Sequence, residues 1–146
     1  MIQRLQSIFL LLASGSCFGL FGTDAANSEV LITDSDLFSD ASFNVFDSPV
    51  LIGAFALAGL IFLADIFLFK NRTLQVKLAS VALFIAGLGV GFGIYEYFTD
   101  IASEMPGAIV PDFGLAFPLL IMVFGVLARN YINKDEKLVR SADRLR

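Results

Sequence analysis

The sequence predicts an all-α integral membrane protein, an up-down four-helix bundle followed by a short amphipathic C-terminal helix. Three observations lead to this fold class. Hydrophobic residues make up 57% of the 146 residues and charged residues only 16%, which is too apolar for an ordinary soluble domain. The mean hydropathy of +0.79 agrees. Most apolar residues also fall in four stretches of roughly 20 residues, the length that crosses a bilayer core.

The four predicted spans cover residues 5–22, 50–69, 78–98 and 113–132. At a rise of about 1.5 Å per residue, each crosses most or all of a hydrocarbon layer about 30 Å thick. A cleavable signal peptide is the alternative for the first span, because the basic Arg4 precedes a short apolar run. The whole chain then forms one membrane domain, with loops at 23–48 and 99–112 and a tail at 133–146.

Positively charged residues are confined to three segments of the chain. The two loops at 23–48 and 99–112 contain acidic residues but no Lys or Arg. Because Lys and Arg beside membrane spans are retained in the cytoplasm, we expect both termini and the turn between spans two and three to be cytoplasmic. The ten cationic residues are Arg4, Lys70, Arg72, Lys77, Arg129, Lys134, Lys137, Arg140, Arg144 and Arg146.

The third span carries a run of alternating glycines. They form two overlapping pairs of small residues four positions apart, on nearly opposite faces of a helix. Small residues let neighbouring membrane helices approach closely, so the third span is expected to lie at the centre of the bundle, with partners on both sides. A glycine-lined channel is the less favoured alternative. The predicted packing residues are Gly87, Gly89, Gly91 and Gly93.

Asp65 is the one ionisable residue clearly inside a predicted span, five positions before Lys70. A carboxylate in this environment costs about 3 kcal/mol unless it is hydrated, protonated or paired, so it is a candidate functional group. A structural ion pair or snorkelling to interfacial water is the favoured interpretation, and handling of a proton or cation is the alternative.

The long acidic loop and the tail each have a predicted structure. Apolar side chains in 23–48 make that loop too hydrophobic for disorder, so we expect short strands or a surface helix there. In the tail, Asn133 and Glu136 have the spacing of a capping box, and apolar residues follow on one stripe. This predicts a separate C-terminal helix whose basic side faces an anionic leaflet or a cytoplasmic partner.

Composition excludes much recognisable catalytic chemistry. The chain has no His and a single Cys, which removes imidazole ligands, the common triad base and internal disulfides. The spacing of the acidic residues matches no calcium loop, and the tail mixes acids with bases and has a single aromatic residue, Tyr131, just before it. We therefore predict no enzyme activity, no cofactor, no metal site and no nucleic-acid partner.

Three polar segments resemble an uncharacterised family of small four-helix inner-membrane proteins typical of the Bacteroidetes. They are residues 1–6 (MIQRLQ), 70–75 (KNRTLQ) and 134–146 (KDEKLVRSADRLR), the last being the most specific. The resemblance covers the whole chain. It implies four helices with both termini cytoplasmic in a bacterial inner membrane, and it carries over no catalytic or binding residues.

Two functions remain open on these observations. The favoured one is a non-enzymatic accessory, assembly or scaffolding subunit, in contact with lipid and with a membrane-protein partner or further copies of itself. Its cytoplasmic interaction face is expected to include the basic residues on that side. The alternative is a small ion- or proton-conducting subunit that uses Asp65. The predicted interaction-face residues are Lys70, Arg72, Lys77, Lys137, Arg140 and Arg144.

Overall fold

The computed structural model describes residues 2–29, 31, 34–100 and 109–143. Four long helices account for most of them. Three short strands lie at one end of the helices. The elements in chain order are α1 (Ile2–Gly19), β1 (Ala26–Ser28), β2 (Ser42–Phe43), α2 (Pro49–Phe67), α3 (Arg72–Thr99), β3 (Ile109–Pro111) and α4 (Ala116–Asp143).

The helices form an up-down antiparallel bundle, as predicted. α1 packs against α2 and α4, and α3 packs against the same two helices. Each helix therefore has two main neighbours, and none of the four is central. The core that they share is apolar, and its buried members in the helices are Leu10, Ala13, Cys17, Leu51, Phe55, Ala58, Phe62, Ala79, Ala82, Leu83, Ala86, Ile121, Ala128 and Ile132.

Local signals define where α2 and α3 begin. Pro49 occupies the first turn of α2, where a missing backbone N–H costs nothing. The Asn71 side chain accepts a hydrogen bond from the backbone N–H of Leu74 at 3.2 Å and so caps α3. Residues 68–71 between the two helices form a tight turn, with Asn71 N–H donating to the Leu68 carbonyl at 2.9 Å. This turn makes the two helices antiparallel neighbours.

The predicted separate helix at the C-terminus is wrong. α4 instead runs without a break from Ala116 to Asp143, over 28 residues. Asn133 lies in the interior of α4 and does not cap a new helix. The physical reason is that residues 126–143 contain neither Gly nor Pro, so nothing ends the helix where the apolar segment gives way to the polar one.

The acidic loop at 23–48 forms strands, one of the two structures expected for it. β1 lies between β2 and β3 in an antiparallel sheet, with Ala26 paired to Phe43 on one side and to Pro111 on the other. The sheet thus ties the first acidic loop to the segment before α4. Beneath it Leu37 and Phe38 are buried, which accounts for part of the apolar character of this loop, whereas Leu31 and Phe46 are exposed.

The two ends of the bundle differ in charge. We call the end with the sheet the acidic end. The other end holds the start of α1, the turn at residues 68–71 and the last turns of α4, and we call it the basic end. This division places the cationic residues of the described chain at one end and most of the carboxylates at the other.

Candidate functional site

A cleft of about 540 Å³ opens at the basic end, between the α2–α3 turn and α4. Three of its lining residues are cationic and one is a carboxylate. Its shape follows from the length of α4, which continues alongside the turn. The residues that line it are Phe69, Lys70, Asn71, Arg72, Thr73, Glu136, Val139 and Arg140.

Polar contacts between α3 and α4 hold the walls of this cleft together. Arg72 Nε lies 3.1 Å from Asp135 Oδ2, and both side chains are mostly buried, at 20% and 12% exposure. The Thr73 hydroxyl donates to Glu136 Oε1 at 2.9 Å. Arg140 donates to the same Glu136 oxygen at 2.7 Å from one turn further along α4. The cleft is therefore a braced surface with Lys70 and Arg140 at its exposed rim.

The structure brings together only part of the predicted interaction face. Lys70, Arg72 and Arg140 line the cleft. Lys77 and Lys137 are exposed but do not line it. Arg144 lies outside the described residues.

Directly inside the basic end, each helix contributes one buried polar residue to the interior. On each helix the buried apolar residues recur every three or four positions along the face that meets the core. Within the described residues, the last buried position of this face, nearest the basic end, is polar on every helix. Gln6 thus follows Leu10 on α1, and Gln75 follows Ala79 on α3. We call these four residues the polar layer: Gln6, Asp65, Gln75 and Asp135.

Among the described residues, three members of the polar layer have buried polar atoms with neither a hydrogen-bond nor an ion-pair partner, whereas Asp135 Oδ2, which also lacks a hydrogen bond, lies 3.1 Å from Arg72 Nε. Gln6, Asp65 and Gln75 are each 0% exposed. Within the described residues, neither carboxylate oxygen of Asp65 has a hydrogen-bond partner, nor do the side-chain amide atoms of Gln6 or Oε1 of Gln75. Gln75 does donate from Nε2 to the backbone carbonyl of Asp65 at 3.0 Å. A buried acceptor without a partner costs about 1–3 kcal/mol, so burial of the polar layer lowers the stability of the folded protein. The polar layer is therefore a candidate functional site.

Asp65 was identified from the sequence, but its surroundings were not. No ion pair reaches it from a described side chain. The sequence analysis missed Gln6, Gln75 and Asp135, because the first two are uncharged and all three lie outside the hydropathy windows or near their edges. Their positions in the sequence could have identified them, because each lies three or four residues beyond the last apolar residue of a buried helix face.

Two of the predicted packing glycines face α2. A Cβ atom on Gly89 would lie 3.0 Å from the Ala54 Cβ, and one on Gly93 would lie 3.4 Å from Leu51 Cδ2. At Gly89 the two helices are as close as a missing side chain allows. Gly93 leaves slightly more room.

The other two glycines of that run are less constrained. A Cβ on Gly87 would come no nearer than 4.0 Å to Met122 of α4, and one on Gly91 would meet nothing within 4 Å. Close helix contacts also occur at glycines outside this run, and the tightest are at Gly19 and Gly125, where a Cβ would lie 2.6 Å from Phe117 Cε1 and from Leu83 Cδ2 respectively. At Gly59 a Cβ would lie 3.0 Å from the Cys17 Cβ, and the Gly59 carbonyl accepts a buried hydrogen bond from the Ser14 hydroxyl at 2.9 Å.

Comparison with known protein families assigns nearly the whole chain to a single family. Residues 2–145 match the family described as a domain of unknown function, DUF4293. The chain belongs to the DUF4293 family. No curated protein matches it in sequence.

The DUF4293 match covers nearly the whole sequence, and it confirms the predicted resemblance to an uncharacterised family. Its four helices are long and apolar enough to cross a membrane by length and composition. Many of their large apolar side chains also point outward, among them Phe84 at 67% exposure and Leu119 at 68%. Such surfaces suit a lipid environment. The length, composition and exposed apolar surface of its helices therefore indicate that this DUF4293 protein is an integral membrane protein.

Proposed function

We propose that this DUF4293 protein is a non-enzymatic accessory, assembly or scaffolding subunit of a complex in the inner membrane of a bacterium. Both termini and the basic cleft then face the cytoplasm, because Lys and Arg beside membrane spans are retained on that side. The lipid bilayer surrounds the four helices. A membrane-protein partner or a second copy of the chain contacts the basic end.

The observation that carries this proposal is the braced cleft at the basic end. The ion pair between Arg72 and Asp135 and the hydrogen bond between Thr73 and Glu136 fix α4 against the α2–α3 turn. Lys70 and Arg140 are thereby presented on a preformed surface. Preformed surfaces lose less conformational entropy on association than flexible tails do, and exposed cations favour partners with acidic surfaces.

A pair of matched charge-reversal variants tests the role of the cleft. Lys70→Glu/Arg140→Glu changes two cleft residues, whereas Lys77→Glu/Lys137→Glu makes the same change in charge at exposed positions outside it. We expect a partner that copurifies with the wild type in mild detergent to be lost from the first variant and kept by the second. Quantitative mass spectrometry of the purified samples measures this, and size-exclusion chromatography with circular dichroism checks folding.

Two results would contradict the accessory role. One is equal partner recovery with both double variants, which would remove the cleft from the interaction. The other is transport of ions by the purified protein alone in liposomes, which would place the protein in a different class.

A second candidate function is a small ion- or proton-conducting subunit. The observation that favours it is the fully buried Asp65, whose two carboxylate oxygens lack partners among the described residues. Gln75, which donates from Nε2 to the Asp65 backbone carbonyl, also has an unsatisfied Oε1. Carboxylate and amide oxygens are suitable ligands for a hard cation, and buried acids in membrane spans serve as proton carriers.

Asp65→Asn distinguishes a conducting role from a structural one. Asparagine keeps an acceptor oxygen of similar shape but cannot carry the negative charge or exchange a proton. If Asp65 conducts, proton or sodium flux into liposomes that contain the purified wild type is abolished in the variant while its fold is retained. Equal flux from protein-containing and empty liposomes would rule out this function for the isolated chain.

A further inference from the structure

An apolar pocket of about 410 Å³ lies at the acidic end, where the sheet covers the start of α2 and the last turns of α3. This volume falls in the range of roughly 300–1,000 Å³ that is typical of small-molecule sites. The side wall of the pocket includes Leu51 and Phe55 of α2, and Gly89 and Gly93 of α3. A Cβ at Gly93 would be in ordinary contact with Leu51 of the pocket wall, so a larger side chain there would take up pocket space. At Gly89 the absent side chain instead lets α3 pack closely against α2.

The mouth of the pocket opens on the helix surface. Its rim includes Ile94 of α3, which is 53% exposed, Phe98, which is 71% exposed, and Leu115 beside α4, which is 56% exposed. All three are large apolar side chains that would face acyl chains in a bilayer. In a protein that crosses a membrane, a pocket with such a rim is open to lipid.

Three polar residues line the pocket, Thr23, Tyr97 and Asn44, and Asn44 directly follows β2 of the sheet. Its backbone N–H donates to Asp47 Oδ2 at 2.6 Å, and its side-chain amide donates to Asp24 Oδ1 at 3.2 Å. Two carboxylates are therefore anchored next to the polar wall of the pocket. No Lys or Arg occurs between Arg4 and Lys70 or between Lys77 and Arg129, so no cationic side chain from those segments neutralises them.

The electrostatic environment at this place is negative. Burial raises the pKa of Asp47 above its ordinary value of 3.8, and repulsion from Asp40, Asp24 and Glu96 raises it further, against the lowering effect of the Asn44 N–H. Glu96 also has a buried Oε2 with no hydrogen-bond partner in the described part of the chain. A cation placed here would relieve this repulsion.

We propose that the pocket binds one acyl chain of a phospholipid whose ammonium headgroup lies against Asp24 and Asp47. The apolar walls suit the chain, the exposed rim connects it to the bilayer, and the carboxylates complement the headgroup charge. This inference rests on the bundle crossing a membrane and does not depend on the accessory role, which concerns the opposite end of the molecule.

Native mass spectrometry of the full chain in mild detergent tests the proposal, with phosphatidylethanolamine and phosphatidylglycerol of identical acyl chains as probes. Phosphatidylethanolamine has the ammonium group and phosphatidylglycerol lacks it. We expect wild type to retain the former with an affinity at least about tenfold higher. Equal retention of the two lipids would overturn the headgroup assignment.

Two glycine variants test the pocket itself. Gly93→Leu places a side chain against Leu51 inside the pocket, whereas Gly91→Leu places the same side chain where a Cβ meets nothing within 4 Å. We expect Gly93→Leu to weaken phosphatidylethanolamine binding at least about tenfold and Gly91→Leu to leave it unchanged. If Gly93→Leu does not fold, Val90→Phe fills the same pocket from a neighbouring position. Wild-type binding by a folded pocket variant would refute the site.

A third variant tests the contribution of the carboxylates. Asp47→Asn retains an oxygen that accepts from the Asn44 N–H but removes the negative charge. We expect it to lose most of the preference for phosphatidylethanolamine while still binding lipid. An unchanged preference would contradict the placement of the ammonium group.

Discussion

The two ends of the bundle close the same apolar core in different ways. At the basic end the chain turns within residues 68–71, and charged side chains of neighbouring helices pair with one another. At the acidic end two long loops meet in a three-stranded sheet, and the carboxylates there accept hydrogen bonds from backbone N–H groups, as Asp100 does from Asp36 and Leu37.

Charged side chains therefore have different roles at the two ends: they pair with one another at the basic end and accept backbone hydrogen bonds at the acidic end. Pairing between helices braces the basic cleft and leaves Lys70 exposed at its rim. Arg140 at the same rim pairs with Glu136 on its own helix, with 69% of its side chain exposed. Backbone capping at the acidic end orders a loop but leaves its negative charge uncompensated. We infer that the basic end presents a surface for a protein and the acidic end an environment for a small cationic group.

The largest expected effect concerns a glycine at the acidic end. Gly114 N–H donates to the Asp24 carbonyl at 3.0 Å, and a Cβ at Gly114 would collide with that same carbonyl group. We expect Gly114→Ala to lower the free energy of unfolding by about 1–3 kcal/mol, as overpacking does.

Gly22 provides the matched control, because a Cβ there meets nothing within 4 Å. Gly22→Ala should leave stability nearly unchanged. Denaturation of both variants in detergent, followed by circular dichroism, measures the difference. Equal stability of the two variants would mean that the sheet does not depend on this close approach.

The second prediction concerns the polar layer at the basic end. The Gln6 side chain is buried and its amide atoms lack partners among the described residues. We expect Gln6→Leu to raise the free energy of unfolding by about 1 kcal/mol, because it removes unsatisfied buried polar groups. The same assay measures it. A loss of stability would instead indicate that Gln6 has a partner in the membrane-embedded protein.

The third prediction compares two ion pairs at the basic end. Arg72 and Asp135 join two helices and are mostly buried, whereas Arg140 and Glu136 are one turn apart on α4 with the arginine 69% exposed. In double-mutant cycles, we expect a coupling energy of about 1–2 kcal/mol for the first pair and about 0.3–0.5 kcal/mol for the second. A larger coupling for the exposed pair would show that the brace of the cleft lies elsewhere.

The sequence was sufficient for the four long apolar helices and for the charge asymmetry, because these follow from the apolar stretches and from the positions of Lys and Arg. It was not sufficient for the C-terminal segment, which continues α4 and forms no fifth helix. The apolar window of the third predicted span begins at residue 78, whereas the helix that contains it, α3, begins at Arg72. The polar first turns of that helix fall outside a hydropathy window although Asn71 caps them. A hydropathy window averages over all faces of a helix, so it does not reveal Gln6 and Gln75. Their burial depends on which face of each helix meets its neighbours.

The smallest expected effect is the pH dependence from Asp47. Because its pKa is raised in the folded protein, the folded state favours the protonated form. Relative to Asp47→Asn, the wild type should therefore lose stability as the pH rises from the unfolded value of 3.8 through the folded pKa. Parallel denaturation series across that range measure the difference. A relative gain in wild-type stability with rising pH would show that the carboxylate is stabilised by its surroundings.

The most direct test of the contrast between the two ends is their sidedness in the membrane. Single cysteines are introduced at the exposed Ser39 of the acidic end and the exposed Lys137 of the basic end, in a Cys17→Ser background, and intact cells are treated with a membrane-impermeant maleimide. We predict labelling of Ser39→Cys in intact cells and of Lys137→Cys only after permeabilisation. Labelling of Lys137→Cys in intact cells, with Ser39→Cys protected, would contradict the account.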